Sequence, residues 1–260
     1  MAEKKPARLV ARDFMHRGVL TAYQRSNVSQ AVRIMAENDV GSVVVLNDVG
    51  PCGVFTERDL LSSVLAEHRD PEQTQIAEVK LSQIAKLEPT ASPEAAALAL
   101  IRKSSRLLVF EGTELAGIIT ATDILKAIQK LNKNFEISRV ITRKTVTVLP
   151  ETPVDAVVSE MSRRRIGSVI VAKDDGTAVG IFTERDLIKR VVAPKRGLKT
   201  EVKGVMSSPL ITFGFDTSGR KATEIMTSHR IKRLPLFSEG KLVGMVTARD
   251  VVEAFAGIHP

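Results

Sequence analysis

Apolar residues along this chain recur in two spacings, one typical of helices and one typical of strands. In the segment Val154–Met161, three valines and the methionine are spaced i, i+3, i+4 and i+7, which places them on one face of a helix. The β-branched run RKTVTVL precedes this segment from Arg143, and the apolar runs SVIVA and AVGIFT follow it on either side of the turn residues DDG. The pattern predicts a strand, a helix and then a β-hairpin.

The same order of elements occurs four times. The strings GVFTERDL, GIITATDI, GIFTERDL and GMVTARDV begin at Gly53, Gly117, Gly180 and Gly244, at intervals of 64, 63 and 64 residues. A helical pattern follows each string, so each repeat is predicted to run strand, helix, strand, strand, helix. Four repeats of this length account for nearly all of the 260 residues and leave no room for a separate catalytic domain.

The first helix of a repeat is clearest in repeats one and three. Repeat one carries the helical spacing at Val28, Ala31, Val32 and Met35. Repeat two has a weaker, alanine-rich version around Ala97, Leu98 and Ile101. A helix is therefore expected at this place in all four repeats.

The repeats also alternate in kind, which predicts how they pair. Repeats one and three share TERD and a Gly-Ser strand start, whereas repeats two and four have TATD or TARD and a basic strand start. Because a unit of about 60 residues is marginally stable alone, pairing is expected to complete its core. The sequence predicts an α/β fold of units 8–72, 73–134, 135–198 and 199–260, paired into tandem modules 1–134 and 135–260.

Composition narrows the class of protein. Hydrophobic residues make up 43% and charged residues 26% of the chain, which is typical of a globular protein and not of a disordered one. The single cysteine, Cys52, excludes an intrachain disulfide framework, and the four histidines lack metal-ligand spacing. We expect no metal site, and the absence of a signal-like or membrane-spanning apolar run favours a cytoplasmic protein.

The net charge of +8, from 38 Lys+Arg against 30 Asp+Glu, favours an anionic partner, either a nucleotide, a nucleic acid or an acidic surface. Aromatic residues make up only 4% of the chain, and tryptophan is absent. Single-stranded nucleic acid is usually bound by stacking its bases on aromatic rings. A nucleic-acid-binding protein is therefore the second hypothesis.

The four Thr-x-x-Asp tetrads are the main candidate site residues. Threonine at a helix N-terminus with an acid three residues later fits a capping box, which would serve stability alone. Arginine nevertheless precedes the aspartate in three tetrads, in a first helical turn where the helix dipole disfavours a cation by about 0.3–1 kcal/mol. An anion held by the threonine, the arginine and the helix N–H groups would explain this choice, with the aspartate free to accept ribose hydroxyls. The candidates are Thr56, Arg58, Asp59, Thr120, Thr122, Asp123, Thr183, Arg185, Asp186, Thr247, Arg249 and Asp250.

Two further groups of residues lie at strand starts. Arg106, Lys232 and Arg233 stand at matching positions of repeats two and four, where a cation could bind phosphate or could simply be solvated. Weaker candidates are Thr21, Thr147 and Thr212, each 14 residues before the methionine of its repeat's first helix.

These motifs together resemble the CBS (cystathionine-β-synthase) domain, in four copies over essentially the whole chain. The resemblance implies a regulatory module with clefts between CBS units that bind AMP, ADP, ATP or S-adenosylmethionine. It implies that Asp59, Asp123, Asp186 and Asp250 hold ribose hydroxyls, that the other tetrad candidates reach ribose or phosphate, and that Arg106, Lys232 and Arg233 bind phosphate. The choice of adenine rests on the resemblance alone.

Known catalytic motifs are missing, so an enzyme is not expected: the chain has no GxxxxGK[ST], GxGxxG, HExxH or GxSxG string. The leading hypothesis is a regulatory sensor of an adenosyl ligand, read by an unidentified partner protein or by a second copy in a homodimer. The alternatives are the nucleic-acid-binding protein and a structural scaffold whose tetrads are only caps.

Overall fold

The structure is a computed structural model that describes residues 9–141, 145–214 and 217–258. A short helix, α1 (Ala11–Phe14), precedes the repeats. Repeat one contains β1 (Thr21–Tyr23), α2 (Val28–Glu37), β2 (Ser42–Leu46), β3 (Pro51–Thr56) and α3 (Glu57–Leu60). Repeat two contains β4 (Ala85–Leu87), α4 (Pro93–Arg102), β5 (Leu107–Glu111), β6 (Glu114–Ile119) and α5 (Ala121–Leu131). Repeat three contains β7 (Thr147–Val148), α6 (Val154–Arg164), β8 (Ser168–Ala172), β9 (Ala178–Thr183) and α7 (Glu184–Asp186). Repeat four contains β10 (Phe213–Gly214), α8 (Gly219–Ser228), β11 (Arg233–Ser238), β12 (Lys241–Thr247) and α9 (Ala248–Phe255).

Each repeat has its own three-stranded sheet, which confirms the predicted strand, helix, strand, strand, helix order. The first strand pairs in parallel with the second, and the second pairs antiparallel with the third across the hairpin. The first strand of repeat three is shorter than the run RKTVTVL suggests, and Arg143 lies outside the described residues. The fold is thus four α/β units of one topology.

The first helices of repeats one and three bury the faces that their apolar spacing predicts, whereas that of repeat two does so only in part. In α2 the buried residues are Val28, Ala31, Val32 and Met35, and in α6 they are Val154, Val157, Val158 and Met161. In α4 the buried face is Pro93, Ala96, Ala97 and Leu100, so Leu98 and Ile101 are only partly buried. In α4 small alanines fill the core face, which weakens the apolar signal and makes its register hard to read from sequence.

Alternate repeats, and not consecutive ones, form the two compact units of the chain. Among the described residues, the odd unit, which holds repeats one and three, comprises residues 20–83 and 145–210. The even unit, which holds repeats two and four, comprises residues 9–19, 84–141, 211–214 and 217–258. This grouping differs from the predicted modules 1–134 and 135–260. In the odd unit, the first helix of each repeat packs on the second helix of the other repeat. In the even unit, α4 packs on α9 and α5 packs on α8.

Each compact unit has its own hydrophobic core, which gives the physical reason for the alternate grouping. The odd core joins α2 and β2 to α6 and β8, with Phe55 and Phe182 fully buried. The even core joins α4, α5, α8 and α9 and also takes Phe14 of α1. Helical faces of alternate repeats therefore bury each other's apolar side chains.

The helix after the tetrad differs between the two units. In the even unit, α5 and α9 are regular α-helices of 11 and 8 residues. In the odd unit, α3 and α7 change after one turn into π-helices at Leu61–Leu65 and Leu187–Val192. In those segments the N–H of Ala66 donates to Leu61 and that of Ala193 to Ile188, five residues back. Such wide turns are rare and often occur at functional sites.

Candidate functional site

In each repeat the strand register brings the sequence-predicted residues to one edge of the sheet. Ser42 at the start of β2 pairs with Thr56 at the end of β3, and Ser168 pairs with Thr183 in the same way. In repeat four, Arg233 pairs with Thr247. Because the third strand runs against the second, the tetrad always begins beside the start of the second strand.

The basic strand residues of the even unit lie at this edge. Leu107 pairs with Ile119, which puts Arg106 next to the start of the tetrad at Thr120. Arg106 is half-buried, and its Nη1 donates to the carbonyl of Ser105 at 2.9 Å. Lys232 and Arg233 are also half-buried, and the carbonyl of Lys232 accepts from the first N–H of α9 at 2.8 Å.

The weaker threonine candidates are exposed. Thr21 begins β1 and pairs with Val44, and Thr147 begins β7 and pairs with Ile170. Thr212 lies just before β10. Since the first and second strands are parallel, these threonines lie near the same edge as the tetrads, two pairs along the sheet from the tetrad threonine.

The tetrad threonines and aspartates form the expected capping boxes. In repeat one, Asp59 Oδ2 accepts from the backbone N–H of Thr56 and from its hydroxyl, both at 2.8 Å. Repeat three has the same bonds between Thr183 and Asp186, at 2.9 and 2.7 Å. The first N–H groups of α3 and α7 donate to the carbonyls of Gly41 and Gly167. These helix starts therefore use part of their N–H groups inside the protein, which leaves fewer of them for an anion than the sequence suggested.

The even tetrads form the same box with small differences. Asp123 Oδ2 accepts from the N–H and the hydroxyl of Thr120 at 2.9 and 2.8 Å, and Asp250 Oδ2 accepts from the N–H of Thr247 at 2.8 Å. The N–H of Asp250 donates to the Thr247 hydroxyl, whereas that of Asp123 donates to the Thr120 carbonyl. Thr122 is half-buried on the first turn of α5.

In the odd unit, the arginine of each tetrad reaches the glutamate of the other. Arg58 Nε lies 2.6 Å from Glu184 Oε1, and Arg185 Nε lies 3.4 Å from Glu57 Oε1. The two glutamate side chains are only 7% and 9% exposed, whereas Arg58 is 39% exposed. Two reciprocal ion pairs thus link repeats one and three, and both arginines already have carboxylate partners.

A third acid extends this link on one side. Asp39, after the end of α2, lies 3.6 Å from Arg185 and 2.9 Å from Lys189. Arg185 is therefore shared between Glu57 and Asp39. An ion-pair network of this kind holds the start of α7 against repeat one.

The third tetrad position of the even unit is used differently. Arg249 is exposed and lies 2.8 Å from Glu253 on its own helix, and its Nη2 donates to the carbonyl of Ile101 at 3.2 Å. Ala121 and Ala248 stand where the odd unit has glutamates. The reciprocal carboxylate–guanidinium pairs are therefore a property of the odd unit.

The tetrad aspartates also differ in their second carboxylate oxygen. Asp186 Oδ1 accepts from Ser207 at 2.8 Å and lies 3.5 Å from Arg190 Nε, while Asp123 Oδ1 lies 3.8 Å from Lys126. Burial raises the pKa of the Asp250 carboxyl above its ordinary value, although the bonds from Thr247 oppose that rise. Burial thus disfavours the charged form of Asp250.

Sequence reasoning missed Glu57, Glu184 and Asp39 as members of this site. The signal was present in the glutamate that both odd tetrads carry and both even tetrads lack. The role of this glutamate depends on the packing of repeat one against repeat three, and the local sequence around each tetrad does not reveal that packing.

Within the described ranges there is no cluster of three or more metal-ligating side chains. In the same ranges no helix has the length and apolar character needed to cross a membrane.

A family model for the CBS domain matches four segments of the chain, residues 11–66, 76–130, 137–193 and 202–257. Each matched segment falls within one of the four predicted repeats.

Curated relatives match the chain over different lengths. The uncharacterized protein MJ1404 of Methanocaldococcus jannaschii is 26% identical over 265 residues, a match that covers 95% of this chain and 62% of that protein. The inosine-5′-monophosphate dehydrogenase of Thermoplasma acidophilum is 39% identical over 114 residues, which covers 44% of this chain and 22% of that enzyme. The chain therefore spans less than two thirds of the length of both proteins.

Two solved structures share the fold over most of the chain. Protein MJ1225 of Methanocaldococcus jannaschii, a proposed archaeal homolog of g-AMPK, has a TM-score of 0.80 at 20% identity and covers 95% of this chain and 100% of its own. An uncharacterized conserved protein from Pyrococcus horikoshii has a TM-score of 0.64 at 21% identity and covers 94% of this chain and 99% of its own.

Proposed function

The chain belongs to the CBS domain family, and we propose that it is a regulatory protein whose Thr-x-x-Asp tetrads bind an adenosyl ligand, either an adenine nucleotide or S-adenosylmethionine. One observation carries the proposal. All four repeats place a threonine and an aspartate at the same edge of the sheet, although a stable helix could begin with many other residues.

The carboxylate geometry supports a sugar ligand. The capping bonds use Oδ2 in every tetrad, so Oδ1 is the oxygen that would turn to ribose hydroxyls. In Asp186 this oxygen faces Ser207 and Arg190, which a ribose would join or replace. Charge-assisted bonds to a carboxylate are among the stronger hydrogen bonds in proteins.

The ion pairs of the odd unit suggest how ligand binding could change the contacts between repeats one and three. A ligand phosphate would compete with Glu184 for Arg58 and with Glu57 for Arg185, because these cations lie on the first turn of the tetrad helices. Drawing the arginines to phosphate would weaken the link between repeats one and three. Such a change gives bound and free states different contacts, as a regulatory coupling requires.

Calorimetric titration tests the proposal, with AMP, ADP, ATP, S-adenosylmethionine, NAD and GTP as ligands. We expect saturable binding of at least one adenosyl ligand that is lost or strongly weakened in Asp59→Ala or Asp186→Ala. Binding by no adenosyl ligand, or full affinity in both variants, would contradict it.

A ligand-free scaffold is the second candidate, because the complete capping boxes give the tetrads a structural role. It predicts that Thr183→Ala lowers stability and that no titration shows binding.

A further inference from the structure

The odd unit contains a pocket that no tetrad residue lines. It has a volume of about 470 Å³ and lies where the ends of the two π-helical segments approach α2. Pockets for small organic ligands usually measure about 300–1,000 Å³. The pocket is therefore large enough for a small ligand.

Apolar side chains from both repeats form much of its wall. Repeat one contributes Val32 and Leu65, and repeat three contributes Val192, Ala193 and Leu198. Since the two repeats meet here, a molecule in the pocket would contact both of them. An apolar wall of this kind suits an apolar ligand body.

Cations outnumber acids in the same lining. The basic side chains are Arg33, His68, Arg69, Lys195 and Arg196, and the acidic ones are Asp70 and Glu72. Without His68, this makes four cations against two carboxylates. The pocket therefore favours a ligand with negative charge.

Both acids and two of the cations already have partners. Glu72 accepts from Ser29 at 3.0 Å and lies 2.8 Å from Lys195. Asp70 accepts from the N–H of Glu72, and Arg69 lies 2.7 Å from Glu78.

Arg33 and Arg196 are the remaining cations. Across the described part of the chain, neither guanidinium group makes a hydrogen bond or a salt bridge, and Arg33 acts on the Glu72 carboxylate only through its charge. Both side chains are exposed at the rim, one in each repeat. A planar guanidinium is well suited to a carboxylate, sulfonate or phosphate.

We infer that this pocket is a second ligand site, which binds an organic anion with a compact apolar body and one carboxylate, sulfonate or phosphate group. The apolar body lies against Val32, Leu65 and Val192, and the acid group pairs with Arg33 and Arg196. Because the walls come from both repeats, the ligand stabilises their packing. The inference does not depend on adenosyl binding at the tetrads.

A fluorescence titration with 8-anilinonaphthalene-1-sulfonate tests the site, because this probe joins an aromatic body to one sulfonate. N-phenyl-1-naphthylamine, which lacks the sulfonate, is the matched neutral probe. In Arg33→Gln/Arg196→Gln we expect about tenfold weaker binding of the anionic probe, which corresponds to about 1.4 kcal/mol. Binding of the neutral probe should stay unchanged.

The control variant Arg25→Gln/Lys173→Gln removes two exposed cations of the same unit outside the pocket. It should leave both probes unaffected. An equal loss of anionic binding in the control, or no loss in the pocket variant, would overturn the inference.

Filling the cavity gives an independent readout. Ala193→Phe should abolish binding of both probes, with circular dichroism and thermal unfolding used to verify that the variant is folded. If it does not fold, the charge variants still decide. At saturating AMP the probe should still bind, with only a limited change in its affinity, because the two ligands occupy different sites and are coupled only through the packing of the two repeats. Competitive displacement of the probe by AMP that is lost in Asp186→Ala would overturn the inference, because the probe would then occupy a tetrad.

Discussion

The odd and even units build the same tetrad into different surroundings. Both keep the threonine and aspartate that cap the helix. The odd unit adds a buried glutamate that pairs with the arginine of the other tetrad, so that its two tetrads are joined by reciprocal ion pairs. The even unit has alanine in place of the glutamate, and its Arg249 pairs along its own helix. The threonine and aspartate of the tetrad therefore serve the helix cap in all four repeats, whereas, among the described residues, the two middle positions form reciprocal ion pairs between repeats only in the odd unit.

The difference extends along the helix that follows. In the odd unit these helices widen into π-helices and end at the basic pocket, whereas in the even unit α5 and α9 are regular. Because a π turn shifts every later side chain around the helix, Leu65 and Val192 point to other neighbours than a regular helix would allow. The two units therefore differ both at the start and at the end of the helix that follows the tetrad.

The largest expected effect comes from removing a cation of the reciprocal pairs. Arg58→Ala takes the guanidinium away from the buried Glu184 carboxylate. We expect the free energy of unfolding to fall by about 2 kcal/mol, less than for a fully buried pair because Arg58 is partly exposed. Urea unfolding followed by circular dichroism measures it.

The matched control is Arg249→Ala in the even unit, where the exposed pair with Glu253 should contribute about 0.5 kcal/mol or less. Equal losses in the two variants would remove the distinction between the units.

A smaller effect is expected from the threonine hydroxyl. Thr183→Val removes an acceptor for the N–H of Asp186 and a donor to its carboxylate, and should cost about 1 kcal/mol. Thr120→Val should cost less, since the N–H of Asp123 donates to a carbonyl there. Thermal unfolding of the pair compares them, and a larger loss in Thr120→Val would contradict the assignment.

The smallest effect concerns the charge of Asp250. Its pKa is raised by burial, so the folded protein holds this proton more tightly than the unfolded chain. The resulting stability is present below the ordinary aspartate pKa of about 3.9 and is lost as the pH rises through the raised pKa. Asp250→Asn should therefore gain stability relative to the natural chain as the pH rises above about 4, since the amide does not ionise.

Urea unfolding at several pH values follows this change. Asp186→Asn is the comparison in the odd unit, and it should lose stability at neutral pH because the carboxylate accepts from Ser207 and lies near Arg190. A constant difference between Asp250→Asn and the natural chain across pH would count against the role of burial.

Much of the fold was readable from the sequence because it depends on local patterns. The spacing of Val154–Met161 and the strings ending in Thr-x-x-Asp predicted the helices, the hairpins and the caps. The grouping of alternate repeats was not readable, because apolar faces show that a helix is buried but not which helix covers it.

The sequence likewise predicts the local part of the site and not the contacts between repeats. The positions of Thr183 and Asp186 follow from capping chemistry. Arg185 pairs with Glu57 and Asp39, which lie 128 and 146 residues away from it in sequence. Only tertiary packing brings these residues together.

We propose that a ligand phosphate competes with Glu57 and Glu184 for the tetrad arginines Arg185 and Arg58. Calorimetric titration of Glu184→Gln with AMP and with adenosine measures this competition, because the amide keeps the size of the side chain and removes its charge. We expect AMP to bind the variant at least about threefold more tightly than it binds the natural chain, while the affinity for adenosine is unchanged. Unchanged or weaker AMP binding in this variant would contradict it.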